Sequence, residues 1–392
     1  MREGWREAAL ADVAVEVKAR LQPGTVADLP YVALEHVSSG VPKIVRSGLS
    51  QDTVSPTTLF QPGDVLFSKL RPYLNKVAVA EEEGCCTKEI LVWRTADESA
   101  VSPSYLALLL RSGQAIQYAT DMSAGSRMPR VSSGQMEAFR VWLPPLDEQR
   151  RIADLITAMD ESIAASAEVA VTAEELVDEL REQLFMPKSN WDETELGDHL
   201  TRISEPVRVL TDETYTEIGV RSHGRGAFLK APITGAALGN KRVFFVRPGQ
   251  LVFNIVFAWE GAVAVLGPET EGMIASHRFP TFASPVDDGV DLLAHFFQTA
   301  QGKGLLDLCS PGGAGRNRTL NQKALMSSVV KIPPVEEWSS VVRLLISAIN
   351  HAVACRESEH ELRTLRSELL TVLLSGEHEI PSTYDEVMSA AF

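Results

Sequence analysis

The chain has 392 residues, room for two or three domains of ~100–200 residues each, and its 45% apolar and 23% charged content excludes a disordered chain. A net charge of −15 speaks at first against nucleic acid, since phosphate neutralisation needs Lys and Arg. The start, Met-Arg-Glu-Gly-Trp, has no apolar signal core; the longest apolar run, Leu251 to Leu266, holds Asn254, Trp259 and Glu260 and is short of the ~20 residues of a span. A cytoplasmic protein with no membrane association is expected. Cys85, Cys86, Cys309 and Cys355 form no CxxC pair and have no histidine at ligand spacing, which predicts idle thiols and no metal.

Residues 1–143 are cut by Pro and Gly into short runs. Strands are predicted at Tyr31–Val37, Val65–Leu70, Val77–Ala80 and Ile90–Trp93, and a short buried helix at Ser104–Arg111. Pro144-Pro145 then opens a helix: a proline suits the first turn, and Asp147 and Glu148 suit its positive end. No Pro or Gly follows between Ile152 and Pro187. Ile152, Ile156, Met159, Ile163, Ser166, Ala170, Ala173, Val177, Leu180 and Leu184 alternate by four and three, a heptad seam. Such a helix of about 35 residues would run ~50 Å and needs a partner helix.

Residues 188–332 repeat the first pattern, with strands near Tyr215–Val220, Val243–Val246, Leu251–Ala258 and Ala262–Leu266 and a short helix at Leu292–Gln301. Pro333-Pro334 opens the second long helix. Val341, Leu345, Ala348, Ala352, Cys355, Leu362, Leu369 and Leu373 form its seam, and Gly376 ends it. The remaining tail, 377–392, is predicted to be loosely ordered.

The two halves repeat each other in sequence. Trp5-Arg-Glu-Ala-Ala-Leu-Ala-Asp returns as Trp191-Asp-Glu-Thr-Glu-Leu-Gly-Asp, and Pro62-Gly-Asp-Val-Leu-Phe-Ser as Pro248-Gly-Gln-Leu-Val-Phe-Asn, both at a lag of 186. Leu143-Pro-Pro-Leu-Asp-Glu returns as Ile332-Pro-Pro-Val-Glu-Glu at 189. That period exceeds the roughly 20–50 residues of a solenoid unit, so a whole domain and its following helix are duplicated. The charge follows the same division: residues 1–143 carry −1 and 188–332 carry 0, whereas 144–187 carry −8 and 333–392 carry −6. The globular domains are therefore free to gather cations on one face. The fold class predicted is α+β: two similar mixed α/β domains, 1–143 and 188–332, joined and separated by two long antiparallel coiled-coil helices, 144–187 and 333–376.

No catalytic constellation is found. Gly312-Gly313-Ala314-Gly315 lacks the Lys-Ser/Thr of a phosphate loop, and neither a nucleophile–base pattern nor a His/Glu metal pair stands out. What recurs is loops of basic, amide and aromatic residues. In the first half these are Lys43 and Arg46; Lys69, Arg71, Tyr73, Asn75 and Lys76; and Arg127 and Arg130. In the second half they are Arg221, His223 and Arg225; Lys241 and Arg242; His277 and Arg278; and Arg316, Asn317 and Arg318. Arginine offers a fork to guanine or phosphate and Asn can read adenine, so these are candidate DNA contacts; each also reads as a solvated loop. Arg130 and Arg318 lie 188 apart.

Leu143-Pro-Pro-Leu-Asp-Glu-Gln-Arg-Arg-Ile-Ala153 and Pro62-Gly-Asp-Val-Leu-Phe-Ser-Lys-Leu-Arg-Pro72 together resemble the signatures of the specificity (S) subunit of type I restriction–modification systems. The likeness covers residues 1 to about 376. Two departures stand out: Trp338 where the family often has Gln, and Asn254-Ile-Val-Phe257 in place of Ser-Lys-Leu-Arg. The resemblance implies a non-catalytic subunit whose two target-recognition domains each read half of a bipartite double-stranded DNA site. It also implies two methyltransferase (M) subunits docked on the helices, around Glu148, Gln149, Ile152, Ile156, Met159, Ile163, Leu345, Leu362 and Leu369. S-adenosylmethionine would sit on those partners, with no cofactor on this chain, and restriction (R) subunits could join. Two other readings stay open: a scaffolding pseudo-dimer that binds proteins, and a specificity subunit of another phage-defence methylation complex.

Overall fold

The computed structural model describes residues 4–26, 28–312, 318–381 and 383–385. They pack as two compact units, one formed by 1–167 with 357–392, the other by 168–356. Each unit thus contains one globular domain and one segment from each long helix.

In the first unit a four-stranded antiparallel sheet has Ala14–Glu16 at one edge, then Ile90–Thr95, Val65–Ser68 and Val77–Val79. In the second unit Thr201–Ile203, Thr281–Ala283, Leu251–Phe253 and Val263–Val265 take the same order. The entry and exit of each domain pair as strands, Arg6–Ala9 with Arg140–Leu143 and Glu193–Glu195 with Val329–Lys331. Three helices recur in each: Pro103–Arg111, Gly113–Asp121 and Ser133–Glu137, against Gly289–Phe296, Ala300–Leu308 and Gln322–Met326. Their caps recur too. Ser112 and Thr299 accept from Ala115 N and Gly302 N, and Ser132 and Asn321 from Gln135 N and Ala324 N.

The repeated Pro-Gly-Asp/Gln motif has a local cause. Gly63 and Gly249 sit at φ +87 and +77, where a side chain is strained. The following Asp64 and Gln250 then accept from Gln61 N and Arg247 N, closing the turn.

The domains diverge in their outer sheets. The first unit has a five-stranded sheet ordered Arg20–Leu21, Thr57–Phe60, Gly84–Cys86, Pro30–Val32, Gly48–Leu49. The second splits the corresponding region into a three-stranded sheet and two hairpin-like pairs. Two predicted strands are shorter in the fold: Tyr31–Val37 turns into a 3-10 helix at Leu34–His36, and Leu251–Ala258 stops at Phe253. The predicted helix Leu292–Gln301 is the end of one helix and the start of another.

The first long helix runs Leu146–Leu184 and the second Trp338–Ser375. Along the first, Ile152, Ile156, Ile163, Ala170, Ala173 and Val177 are buried, and Met159, Ser166, Leu180 and Leu184 are half-buried, so the heptad seam is the packed face. In the first unit Ile152 and Ile156 join a core with Leu370, Leu373 and Leu374, so the segments run antiparallel. In the second, Ala173 and Val177 pack on Ala348, Ile349 and Ala352, again antiparallel. Gly376 ends the second helix at φ +75, where a Cβ would press on the Trp5 ring at 3.3 Å.

By length and composition alone, Val335–Ser375 would pass for a membrane span. Its Trp338, Val341, Val342 and Leu345 are enclosed in the second core, and Leu370, Leu373 and Leu374 in the first. In the described part of the tail, Ile380 is buried in the first core and Asp385 pairs with Arg151 at 3.2 Å; 382 and 386–392 lie outside the described residues.

Candidate nucleic-acid interface

Two of the loops singled out in the first half form a clamp. After Val65–Ser68 the chain passes through Arg71 at φ +51 into the turn Pro72–Leu74, and leaves through Asn75 at φ +47. Two non-glycine residues in the left-handed region within five positions are a strained arrangement that something must hold. The 123–130 loop does so. Arg71 N donates to Pro129 O at 2.8 Å, Val131 N donates to Lys69 O, and Leu70 bridges Arg130. Arg130 is itself fixed by a two-pronged pair with Glu89, Nε–Oε2 2.8 Å, which raises its already high pKa.

This sorts the predicted residues. Arg130 is committed to Glu89, Lys76 Nζ donates to Leu34 O at 2.6 Å, and Asn75 Nδ2 donates to Arg111 O, so these three build the clamp. Arg71, Tyr73 (52% exposed) and Arg127 stand outward on it, with Lys69 half-buried beside them. Lys43 and Arg46 are exposed on a separate stretch bridged by Val37 and Ile44.

The second unit repeats this backbone with other side chains. Ser68 N→Lys76 O, Lys69 N→Glu89 O and Val131 N→Lys69 O recur as Asn254 N→Ala262 O, Ile255 N→Arg278 O and Leu320 N→Ile255 O. The turn Pro72–Leu74 recurs as Ala258–Glu260, and left-handed Asn75 as left-handed Gly261. Ile255 and Phe257 stand where Lys69 and Arg71 stand, so cations must come from elsewhere. The hairpin of Ile218–Val220 and Ala227–Leu229 supplies them. His223 N and Gly224 N donate to Glu260 O and Gly261 O, seating Arg221, His223 and Arg225 beside the turn. Arg278 follows the buried Ser276, and His277 and Arg278 are exposed.

Arg221 is held by its neighbours. Its guanidinium lies 4.6 Å from the Phe228 ring centroid, and Nη1 donates to Ala227 O. Phe228 lies flat because Gly219 opposite has no Cβ, which would meet the ring at 2.4 Å. Sequence reading missed Phe228; the glycine facing an aromatic was its only trace. Lys241 is paired with Glu217 at 2.6 Å, whereas Arg242 is exposed. Arg318 is committed inward, to Asp307 and Ser310 O and over Trp259 at 5.0 Å. Arg316 and Asn317 lie outside the described residues.

The helix residues expected at the partner interface lie mostly on the packed face of the helices. Gln149, Ile152, Ile156 and Leu345 are fully buried, Ile163 nearly so, and Met159, Leu362 and Leu369 are half-buried, because the seam is spent on internal packing. Glu148 accepts from Trp5 Nε1 at 3.2 Å. Gln149 Nε2 donates to Ala100 O and Pro144 O while Oε1 accepts from Ser102 N, locking the helix start to its domain. Trp338 does the equivalent work: its Nε1 donates to Pro333 O at 2.8 Å, the carbonyl that matches Pro144 O. Outward apolar side chains are different ones, Val169, Leu176, Leu344, Ile346, Val353 and Leu365. A groove of 590 Å³ in the second unit, lined by Val169, Leu176, Leu180, Ala348 and His351, lies among them. Among the described residues no three His, Cys, Asp or Glu side chains converge as a metal site.

Residues 3–172 match the family model of the type I restriction modification DNA specificity domain. A stretch of 146 residues, 36% of the chain, is 25% identical to the Escherichia coli type I restriction enzyme EcoDI specificity subunit, covering 31% of that protein. One of 192 residues, 46% of the chain, is 22% identical to the HindI specificity subunit of Haemophilus influenzae, covering 41% of it. The matched stretches thus span about a third to two fifths of those relatives. Among solved structures, the HsdS subunit from Thermoanaerobacter tengcongensis aligns with a TM-score of 0.52 and 20% identity, covering 96% of this chain and 98% of that one. A chain from a type I R-M system complex aligns at 0.65 and 20%, covering 95% and 98%. The S subunit from M. genitalium aligns at 0.55 and 11%, covering 94% and 96%. At these identities the structures speak for the fold: two mixed α/β domains joined by long helices. The likeness to type I specificity subunits therefore holds in a specificity domain over residues 3–172, in curated relatives, and in the fold of nearly the whole chain.

Proposed function

We propose that the chain is the sequence-reading subunit of a type I restriction–modification complex in the cytoplasm. Each recognition domain contacts one half of a bipartite double-stranded DNA site. The observation that carries this reading is the clamp beside Val65–Ser68, rebuilt on the same backbone hydrogen bonds beside Leu251–Phe253 but with different side chains outward. Equal scaffolds with unequal surfaces suit two unequal half-sites. Arg71, Tyr73 and Arg127 in one domain, and Arg221, Arg225 and Arg278 in the other, would make the contacts, through guanidinium forks and aromatic faces.

The chain itself is non-catalytic in this reading. Two methyltransferase subunits dock on the outward helix faces and carry S-adenosylmethionine, and restriction subunits join that core. The segments 144–187 and 333–392, at −8 and −6, would meet protein and keep DNA off. The test is methylation of random-sequence DNA by the partner methyltransferase with and without this chain. Site-specific adenine methylation that persists without it would overturn the reading.

A further inference from the structure

In the second unit Ile218–Val220 and Ala227–Leu229 pair as a two-stranded antiparallel ribbon, with Ile218 opposite Leu229, Gly219 opposite Phe228 and Val220 opposite Ala227. Side chains alternate between the faces of such a ribbon. Ile218 and Val220 enter the apolar core behind it, which leaves Gly219, Arg221 and Phe228 on the outward face. The Phe228 ring lies down over Gly219, where a Cβ would meet it at 2.4 Å. Arg221 stacks its guanidinium on that ring, 4.6 Å from the centroid, and Nη1 is tethered to Ala227 O at 3.2 Å. The ribbon's turn is seated in the same way. Ser222 Oγ donates to Glu260 Oε2 at 2.8 Å, and His223 N and Gly224 N donate to Glu260 O and Gly261 O.

The Arg221 guanidinium is therefore exposed yet held on two sides. No carboxylate among the described residues pairs with it, and its Nε–Nη2 edge donates to none of them. A side chain fixed before binding loses less entropy on binding, and the gain is realised where the acceptors sit at a set place and angle. A phosphate makes no such demand: its contacts position the protein and carry no sequence information. Two acceptors in one plane, at the spacing of a guanidinium fork, are what guanine O6 and N7 present in the major groove. That groove, ~12 Å wide, also admits a two-stranded ribbon.

We infer that Arg221 is a guanine reader of the second half-site and that Phe228 is its positioning residue, with Gly219 giving the ring its place. This rests on the DNA-reading function proposed above and deepens it, since it separates Arg221, which meets a base edge, from cations that meet phosphate.

Bound sites are selected from a randomised duplex library by the chain with its partner methyltransferase subunits, as wild type, Arg221→Lys or Phe228→Leu. The wild type should require guanine at one position of one half-site. Arg221→Lys keeps the charge and loses the fork, so preference at that position should fall about tenfold. Phe228→Leu keeps apolar cover on the ribbon and loses the ring, so preference at the same position should fall about threefold. The other positions and the other half-site should be read unchanged, which also shows that the variants are folded. Weaker binding to all sequences with the preference unaltered overturns the inference and assigns Arg221 to a phosphate. Preference lost in Arg221→Lys but intact in Phe228→Leu overturns the positioning role. A wild type that selects no bipartite site overturns DNA reading itself.

Discussion

The two helix pairings inside this chain solve one packing problem with opposite chemistry. In the first unit Asp160 of the first helix pairs with Arg366 of the second at 2.9 Å and with Arg111 of the domain at 3.0 Å. Arg111 is 3% exposed and also donates to Gly40 O. At the repeat lag of 189, the second unit places Ile349 and Val177 where Asp160 and Arg366 stand, in an apolar cluster with Ala173 and Ala352. The second pairing has an ion pair too, Arg356 with Glu174 at 2.9 Å, but it lies exposed, where such a pair contributes little. The first pairing therefore encloses its ions and the second leaves them at the surface around an apolar centre, which teaches that a duplicated scaffold need not be duplicated in chemistry.

The largest effect should come from Asp160→Ala. Removing the shared anion strands two enclosed guanidiniums, a class of change that costs about 3–5 kcal/mol. Hydrogen exchange should show lost protection in helix amides near Arg366 with those near Ile349 little changed; equal loss in both would break the comparison. Importing the second unit's pair, Asp160→Ile with Arg366→Val, restores packing yet still leaves Arg111 unpaired. Its cost should fall only when Arg111→Leu is added.

Next come the two helix starts. Gln149→Ala leaves Ser102 N–H and the Ala100 and Pro144 carbonyls without their side-chain partner, for a loss of about 2–4 kcal/mol. Trp338→Phe removes one donor from Pro333 O and keeps the ring, for about 1–2 kcal/mol. Urea melts that rank these two the other way would show that the indole and the amide are not equivalent ties.

Much of this was legible in the sequence, and the illegible parts share a cause. The seam Ile152–Leu184 could be read because helical periodicity is local, and the duplication because its motifs sit at turns with fixed chemistry. Trp338 read as a departure from the expected Gln, since sequence compares residue types whereas the fold uses only an N–H aimed at one carbonyl. Burial also could not be read for Gln149: a polar side chain looks the same in sequence whether it faces solvent or closes a buried network. Lys76 and Arg318 read as candidate contacts because charge is visible in sequence and commitment to Leu34 O or Asp307 is not.

Acid should separate the units by a smaller amount. His295, where the first unit has Leu108, is pushed down to about 4 by burial and by Arg181. Its folded pKa lies below the ordinary value near 6.5, so the unfolded chain takes up a proton that the folded chain refuses. Stability from this residue is full above pH 6.5 and is lost as pH falls from 6.5 toward 4, by about 1–2 kcal/mol at pH 5. Asp291, whose carboxyl burial holds high, offsets part of that near the bottom of the range. His295→Leu should remove most of the acid sensitivity of the second unit in pH-dependent melts, leaving the smaller part from His199, which burial also holds low; an undiminished slope would place the titrating group elsewhere.

The smallest effect tests the surfaces themselves. Lys69 and Ile255 occupy equivalent backbone positions, with amide hydrogen bonds to Glu89 O and Arg278 O. Only the first can neutralise a phosphate. Lys69→Ala should lower the slope of log affinity against log salt by about 1, as one released counterion requires. Ile255→Ala should leave that slope unchanged while costing stability through lost packing. Salt titrations of DNA binding by both variants decide it. Equal slopes would mean that the lysine faces no phosphate, and that the first domain's charge enters through its exposed cations, Arg71 and Arg127 among them.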